Sequence, residues 1–101
     1  MPSITTRPAI SDAEKDEAIE QTLQELDYQL MKKGQGSFMS SHEIYGVIKE
    51  ELDEVMDEVR KSDGLNKLDH EMRKVALKKE LAQLAVAAIW GIASIDHCEW
   101  I

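Results

Sequence analysis

The chain of 101 residues has a single cysteine, Cys98, two prolines, Pro2 and Pro8, and only twelve basic residues against twenty acidic ones. One cysteine rules out an intrachain disulfide and suits a reducing compartment, so a cytoplasmic protein is expected. Both prolines fall in residues 1 to 10, among serine and threonine, and this stretch is expected to be a flexible lead-in ahead of one domain over residues 11 to 101. It has no apolar core preceded by basic charge, so no secretion signal is expected. A net charge of −8 argues against a nucleic-acid polymer as partner, because phosphate binders need clustered Lys and Arg. The most apolar run, Leu81 to Ile95, is shorter than the roughly 20 residues a membrane span needs.

Other chemistries lack their signatures. No histidine among His42, His70 and His97 follows a glutamate with Glu-x-x-His spacing, which a di-iron carboxylate bundle requires. There is no glycine-rich phosphate loop ending in Lys-Ser or Lys-Thr, and no local Ser/His/Asp or Cys/His nucleophile pattern. His42 and His70 read as exposed first-turn helix residues, and His97 and Cys98 as a solvated, frayed tail. No stretch alternates with period two and no repeat is visible, which leaves an all-α reading.

What is present is helical periodicity. Ser11 and Glu14 have capping-box spacing, Ile19, Leu23, Leu26 and Leu30 recur on one face, and Lys32-Lys33-Gly34 ends the pattern, placing a first helix at about residues 12 to 33. After the connector Gly34 to Ser37, Ser40 and Glu43 offer a second capping box. A second helix then carries Ile44, Val47, Ile48, Leu52, Val55, Met56 and Val59 on its apolar face, and Ser62-Asp63-Gly64 stops it near residue 61. Asn66 or Asp69 caps a third helix reaching about Ile95. From Leu84 onward that helix has no polar face, and three helices cannot cover it. A three-helix bundle completed by self-association, as a dimer or tetramer, follows.

Within the second helix, Glu51 falls in the stripe of Ile44, Ile48 and Val55, Glu54 lies on its edge, and Glu50, Asp53 and Asp57 lie further out. On the third helix Glu80 shares a face with Leu77, Leu84 and Ala87, with Gln83 one turn on. Two facing helices, each with oxygen-bearing side chains at i and i+3, are suited to enclose a hard divalent cation such as magnesium. The competing reading is an ordinary surface helix with its acids paired to Lys49, Arg60 or Lys79.

Glu50-Glu51-x-x-Glu54 followed by Glu80-x-x-Gln83 resembles the EExxE and ExxD pattern of the MazG-like all-α nucleoside triphosphate pyrophosphohydrolases, over about residues 15 to 96. The resemblance implies hydrolysis of a nucleoside triphosphate to the monophosphate and pyrophosphate, with Mg2+ held by Glu51, Glu54, Glu80 and Gln83. It makes Glu50 or Glu58 the acceptor of a proton from the attacking water. It also makes Lys32 and Lys33 candidates for holding phosphates, although both complement the negative end of the first helix in any case. Phe38, Tyr45 and Trp90 are available to stack on a base or to pack in the core. The departure is Gln83, where the family pattern has Asp, which removes one negative charge. That departure keeps open a second reading, a catalytically lapsed helical oligomer serving as a protein-binding module.

Overall fold

The computed structural model describes residues 7–61 and 67–100. Three helices account for nearly all of them: α1 at Asp12–Lys33, α2 at Ser41–Lys61 and α3 at Lys67–Ser94, followed by a short 3-10 turn at Ile95–His97. The all-α expectation holds, with no strand among the described residues and a single isolated backbone bridge between Ser40 and Glu99. None of these helices is long and apolar enough to cross a membrane.

The helix ends follow from local hydrogen bonding. At the start of α1 the Ser11 hydroxyl accepts from Glu14 N–H at 3.0 Å, and Glu14 returns a carboxylate oxygen to Ser11 N–H at 2.9 Å. Two of the otherwise unpaired first-turn donors are thereby satisfied. At the other end Gly34 adopts φ 78°, a backbone that favours glycine, and donates its N–H to Leu30 O. The capping of α2 differs from the expected box. Ser40 Oγ accepts from Glu43 N–H at 3.1 Å, but the Glu43 carboxylate reaches one residue further back, to Met39 N–H at 2.7 Å. The stop at residues 62–64, the Asn66 cap and residues 1–6 of the lead-in lie outside the described residues. Asp69, the other expected cap, falls inside α3.

α3 lies between α1 and α2 and packs against both, most extensively against α2. Ile44 near the start of α2 meets Gly91 near the end of α3, and Glu58 near the end of α2 meets Arg73 near the start of α3, so the two run antiparallel. The close approach has a cause in the sequence: a Cβ on Gly91 would lie 3.1 Å from an Ile44 methyl carbon. Among the described residues the buried apolar side chains are few and small, Val55 from α2 with Ala82, Val86 and Ala87 from α3. The face expected on α2 splits in two. Ile44, Val47 and Ile48 are half-buried and Val55 buried, whereas Leu52, Met56 and Val59 are exposed. On α1 no residue is fully buried, and Ile19 and Leu23 stay exposed beside Ile89 of α3.

The C-terminal tail is not the frayed end expected from its sequence. Ser94, 1% exposed, accepts a hydrogen bond from Phe38 N–H at 3.0 Å, and the Cys98 thiol donates to Phe38 O at 3.4 Å. Glu99 donates its N–H to Met39 O at 2.9 Å and accepts from Ser41 N–H at 3.2 Å. The loop between α1 and α2 is thus fastened to the segment after α3. Replacing Ser94 by Ala leaves the Phe38 N–H without its partner. The expected cost is about 1–3 kcal/mol, read as a lower urea midpoint at unchanged slope.

Candidate metal centre

The α2–α3 seam decides where the acidic residues go. On α2, Glu51 sits between the half-buried Ile48 and the buried Val55, and Glu54 follows three residues later on the same side. On α3, Glu80 precedes the buried Ala82 and lies across the seam. One carboxylate oxygen from each of Glu51, Glu54 and Glu80 lies within 4.8 Å of the others. Antiparallel packing brings them together although up to 29 positions separate them along the chain.

Among the described residues no ion pair within 4 Å involves any of the three carboxylates; Lys49 pairs instead with Asp53 at 3.2 Å. Glu51 Oε2 and Glu80 Oε2 are both buried without a hydrogen-bond partner. Burial, followed by the nearby carboxyls of Glu54 and Glu80, pushes Glu51 up to about 6, with Lys33 opposing. Glu80 is raised too, first by burial and then by Glu54 and Glu58, with Lys79 opposing. A buried acceptor without a donor costs stability, and like charges at this range disfavour full ionisation. Either protons or a cation must make up the balance. Three converging carboxylate oxygens are hard donors, the set that suits Mg2+, Mn2+ or Ca2+ rather than soft thiophilic metals. The structure therefore brings together three residues able to hold a metal ion.

Gln83 stands one turn beyond Glu80 and lines, with Glu51, a cavity of about 200 Å³. Its other walls include Gln29 and Lys33 from α1, Phe38 from the loop, and Val86 and Trp90 from α3. Trp90 donates its indole N–H to Gly36 O at 2.8 Å, which fixes the ring against the loop. Of the two lysines singled out in the sequence, Lys33 lines this cavity, and Lys32 is exposed with its ammonium 5.8 Å from the Tyr28 ring centre. Tyr45 is 68% exposed and not part of the cavity wall. Glu58 is bound by Arg73 at 3.1 Å and Lys61 at 3.5 Å, and Glu50 is exposed on α2. His42, His70 and His97 are exposed.

Sequence reasoning passed over Gln29, Ser94 and the Trp90 contact with the loop. Gln29 had a weak signal: it lies on α1 one turn before Lys33 and next to Leu30 on the semi-buried side. Ser94 had none, since a serine ending an apolar helix reads as a solvent-facing residue.

The raised carboxyl groups fix a pH dependence. The metal-free folded state holds a proton on Glu51 that the unfolded chain, titrating near 4.5, has already lost. The folded state then binds more protons, so this stabilisation is complete below about 4.5 and is lost as pH rises through about 6. Millimolar Mg2+, Mn2+ or Ca2+ is expected to raise the melting temperature at pH 7.5 and to do so progressively less as pH falls below 6, because proton and cation compete. Glu51→Gln is expected to abolish the metal increment without lowering the metal-free melting temperature, both read by thermal unfolding with and without divalent salt. In comparisons with known proteins, no family model, no curated protein and no solved structure matches the chain, so the centre rests on its own geometry.

Proposed function

We propose that the chain is a magnesium-dependent nucleoside triphosphate pyrophosphohydrolase of the MazG-like kind, acting on the nucleotide pool of the cytoplasm. The observation that carries this reading is the cluster of Glu51, Glu54 and Glu80, with two orphaned oxygens, opening beside a cavity that presents Lys33 and two aromatic rings. A net charge of −8 would repel a polyphosphate, and a cation at this cluster is what reconciles the protein with such a substrate.

Bound magnesium supplies neutralisation of phosphate charge and a more acidic water. The residues of the chain do the rest. Glu51, Glu54 and Glu80 would hold and orient the ion, and the Gln83 amide oxygen would add a neutral ligand. Lys33 faces the polyphosphate from α1, with Lys32 nearby on the exposed side. Water attacks the α-phosphorus, the α–β bridging bond breaks, and pyrophosphate leaves the nucleoside monophosphate behind. The water's proton passes to Glu50 or Glu58. Glu50 is the freer of the two, because Glu58 is engaged by Arg73 and Lys61.

Self-association belongs to the same proposal. Ile92 is 76% exposed at the end of α3, and Ile19 and Leu23 of α1 lie open beside Ile89. A second copy covering these side chains would supply the core that one chain lacks.

Gln83 supports the second reading, a lapsed enzyme that keeps the assembly and binds a protein partner. Under that reading Gln83→Asp creates or greatly raises activity. The deciding experiment measures pyrophosphate release from ordinary and damaged nucleoside triphosphates, with and without Mg2+. Release is expected only with the metal. Loss of an outer-shell partner alone costs about 10–100-fold at such sites, so Glu51→Gln is expected to lower release by at least about 100-fold. No release from any nucleotide would leave the binding-module reading. In light scattering after size exclusion, the chain is expected to run as a dimer or tetramer, and Ile92→Lys to shift it toward the monomer.

A further inference from the structure

The α2–α3 seam repeats itself with a change of sign. Glu58 lies seven residues after Glu51 on α2, and Arg73 lies seven before Glu80 on α3. Seven residues fall about 20° short of two full turns, so each shares the face of its counterpart about 10 Å along the helix axis. Glu58 therefore meets Arg73 in the same antiparallel register that brings Glu51 to Glu80. In one layer of the seam acids face an acid, and in the next an acid faces a base.

The Glu58–Arg73 pair differs from the other ion pairs among the described residues. Lys15–Asp12, Lys49–Asp53, Lys61–Glu58 and Lys74–Glu71 each join residues three or four apart on one helix, whereas Arg73 Nη1 crosses between helices to Glu58 Oε2 at 3.1 Å. The Glu58 side chain is 13% exposed, so water and salt screen this pair less than the open ones. Glu58 follows Glu54 by one turn of α2, and after burial and Glu54 its charge is a further cause of the raised Glu80. It is nevertheless not one of the three carboxylates whose oxygens lie within 4.8 Å of one another. Arg73 and Lys61 hold it aside, next to a hollow walled by Val59 and Leu77.

We infer that Arg73 restrains the metal centre: by occupying Glu58 it withholds a further carboxylate from a hard dication at Glu51, Glu54 and Glu80, and so sets the affinity of that site. The inference rests on the cation reading above and deepens it, and it needs no nucleotide. The guanidinium acts in two ways that have the same sign. It places a positive charge one layer away from the ion, and it takes up oxygens that the ion would otherwise attract. The hollow beside the pair leaves the carboxylate room to turn toward the ion once Arg73 is gone. With Glu58 withheld, a bound dication keeps coordination positions for water or for the oxygens of a ligand.

The test is a calorimetric titration of the intact chain with Mn2+ alone at pH 7.5, for the wild type, Arg73→Gln, Glu58→Gln and the double variant. Arg73→Gln is expected to bind Mn2+ at least about fivefold more tightly than the wild type, because one positive charge is lost and one carboxylate is released. Glu58→Gln leaves the guanidinium unpaired beside Glu80 and is expected to bind at least about fivefold more weakly. The double variant is expected to return to within about twofold of the wild type. Both single variants lose the same ion pair, so a merely structural role would move their affinities in the same direction; opposite shifts are the signature of restraint. Unchanged or weaker binding by Arg73→Gln overturns the inference and leaves the cation centre standing. Where Arg73→Gln does not fold, Glu58→Gln decides alone, and unchanged or tighter binding there overturns the inference. No Mn2+ binding by any of the four proteins overturns the cation centre together with its restraint.

Discussion

Three carboxyl groups within 4.8 Å of one another, on two helices that also form the best-packed seam of the chain, set the terms for the rest of the molecule. They do not all ionise there without compensation. The ion pairs within 4 Å among the described residues go instead to Asp53, Glu58, Glu71 and Asp12. A protein that needed only a stable seam would place apolar side chains at positions 51 and 80, as it does at the neighbouring Val55 and Ala82. Keeping acids at those places sacrifices stability in the metal-free state, and such sites are where binding and catalysis concentrate.

The core that carries this load is slight. Val55, Ala82, Val86 and Ala87 are the buried apolar side chains among the described residues; none is larger than valine, and three of the four lie on the central helix. Small residues let the helices approach closely, as the contact of Gly91 with Ile44 shows, and close approach brings Glu80 within reach of Glu51 and Glu54. The same economy leaves Ile19, Leu23 and Ile92 facing solvent in the single chain. Stability is recovered partly through hydrogen bonds to the loop backbone: the loop after α1 is held at Phe38 by the Ser94 and Cys98 side chains and at Met39 by the Glu99 backbone. Phe38 is also a cavity wall, so the fastening that steadies the fold shapes the space beside the carboxylates.

Local physics made much of this legible in the sequence. The first helix was readable to its ends because both ends are set by nearby residues, the reciprocal bonds of Ser11 with Glu14 and the positive φ of Gly34. The inward position of Glu51 followed from a 100° step along α2, and the partnership with Glu80 from its apolar surroundings on α3. What could not be read depended on distant segments meeting. The bond from Phe38 to Ser94 joins residues 56 positions apart, and Cys98 reaches Phe38 across 60. The capping of α2 failed in detail for a related reason: Met39 is held by Glu99, and its free N–H draws the Glu43 carboxylate one residue past Ser40. No periodicity distinguishes Gln29 from Gln21 or Gln24. Only the tertiary fold buries its oxygen.

Gln83 is the residue on which the chemistry turns, and its effect has two signs. A carboxylate in its place would add a fourth negative group beside Glu51 and Glu80, both already raised by burial and by their neighbours. The metal-free chain, with its small core, would bear that repulsion directly. The amide removes the added repulsion and still offers a carbonyl oxygen, but it weakens the pull on a cation by one charge. A hard dication such as magnesium keeps several of its waters and does not need a full set of protein carboxylates, so a neutral amide at position 83 is compatible with a cation at Glu51, Glu54 and Glu80. The same substitution limits how many ions the seam gathers, since each further dication must be matched by negative charge close by. On the proposed reading, this balance would favour one ion on Glu51, Glu54 and Glu80 rather than two.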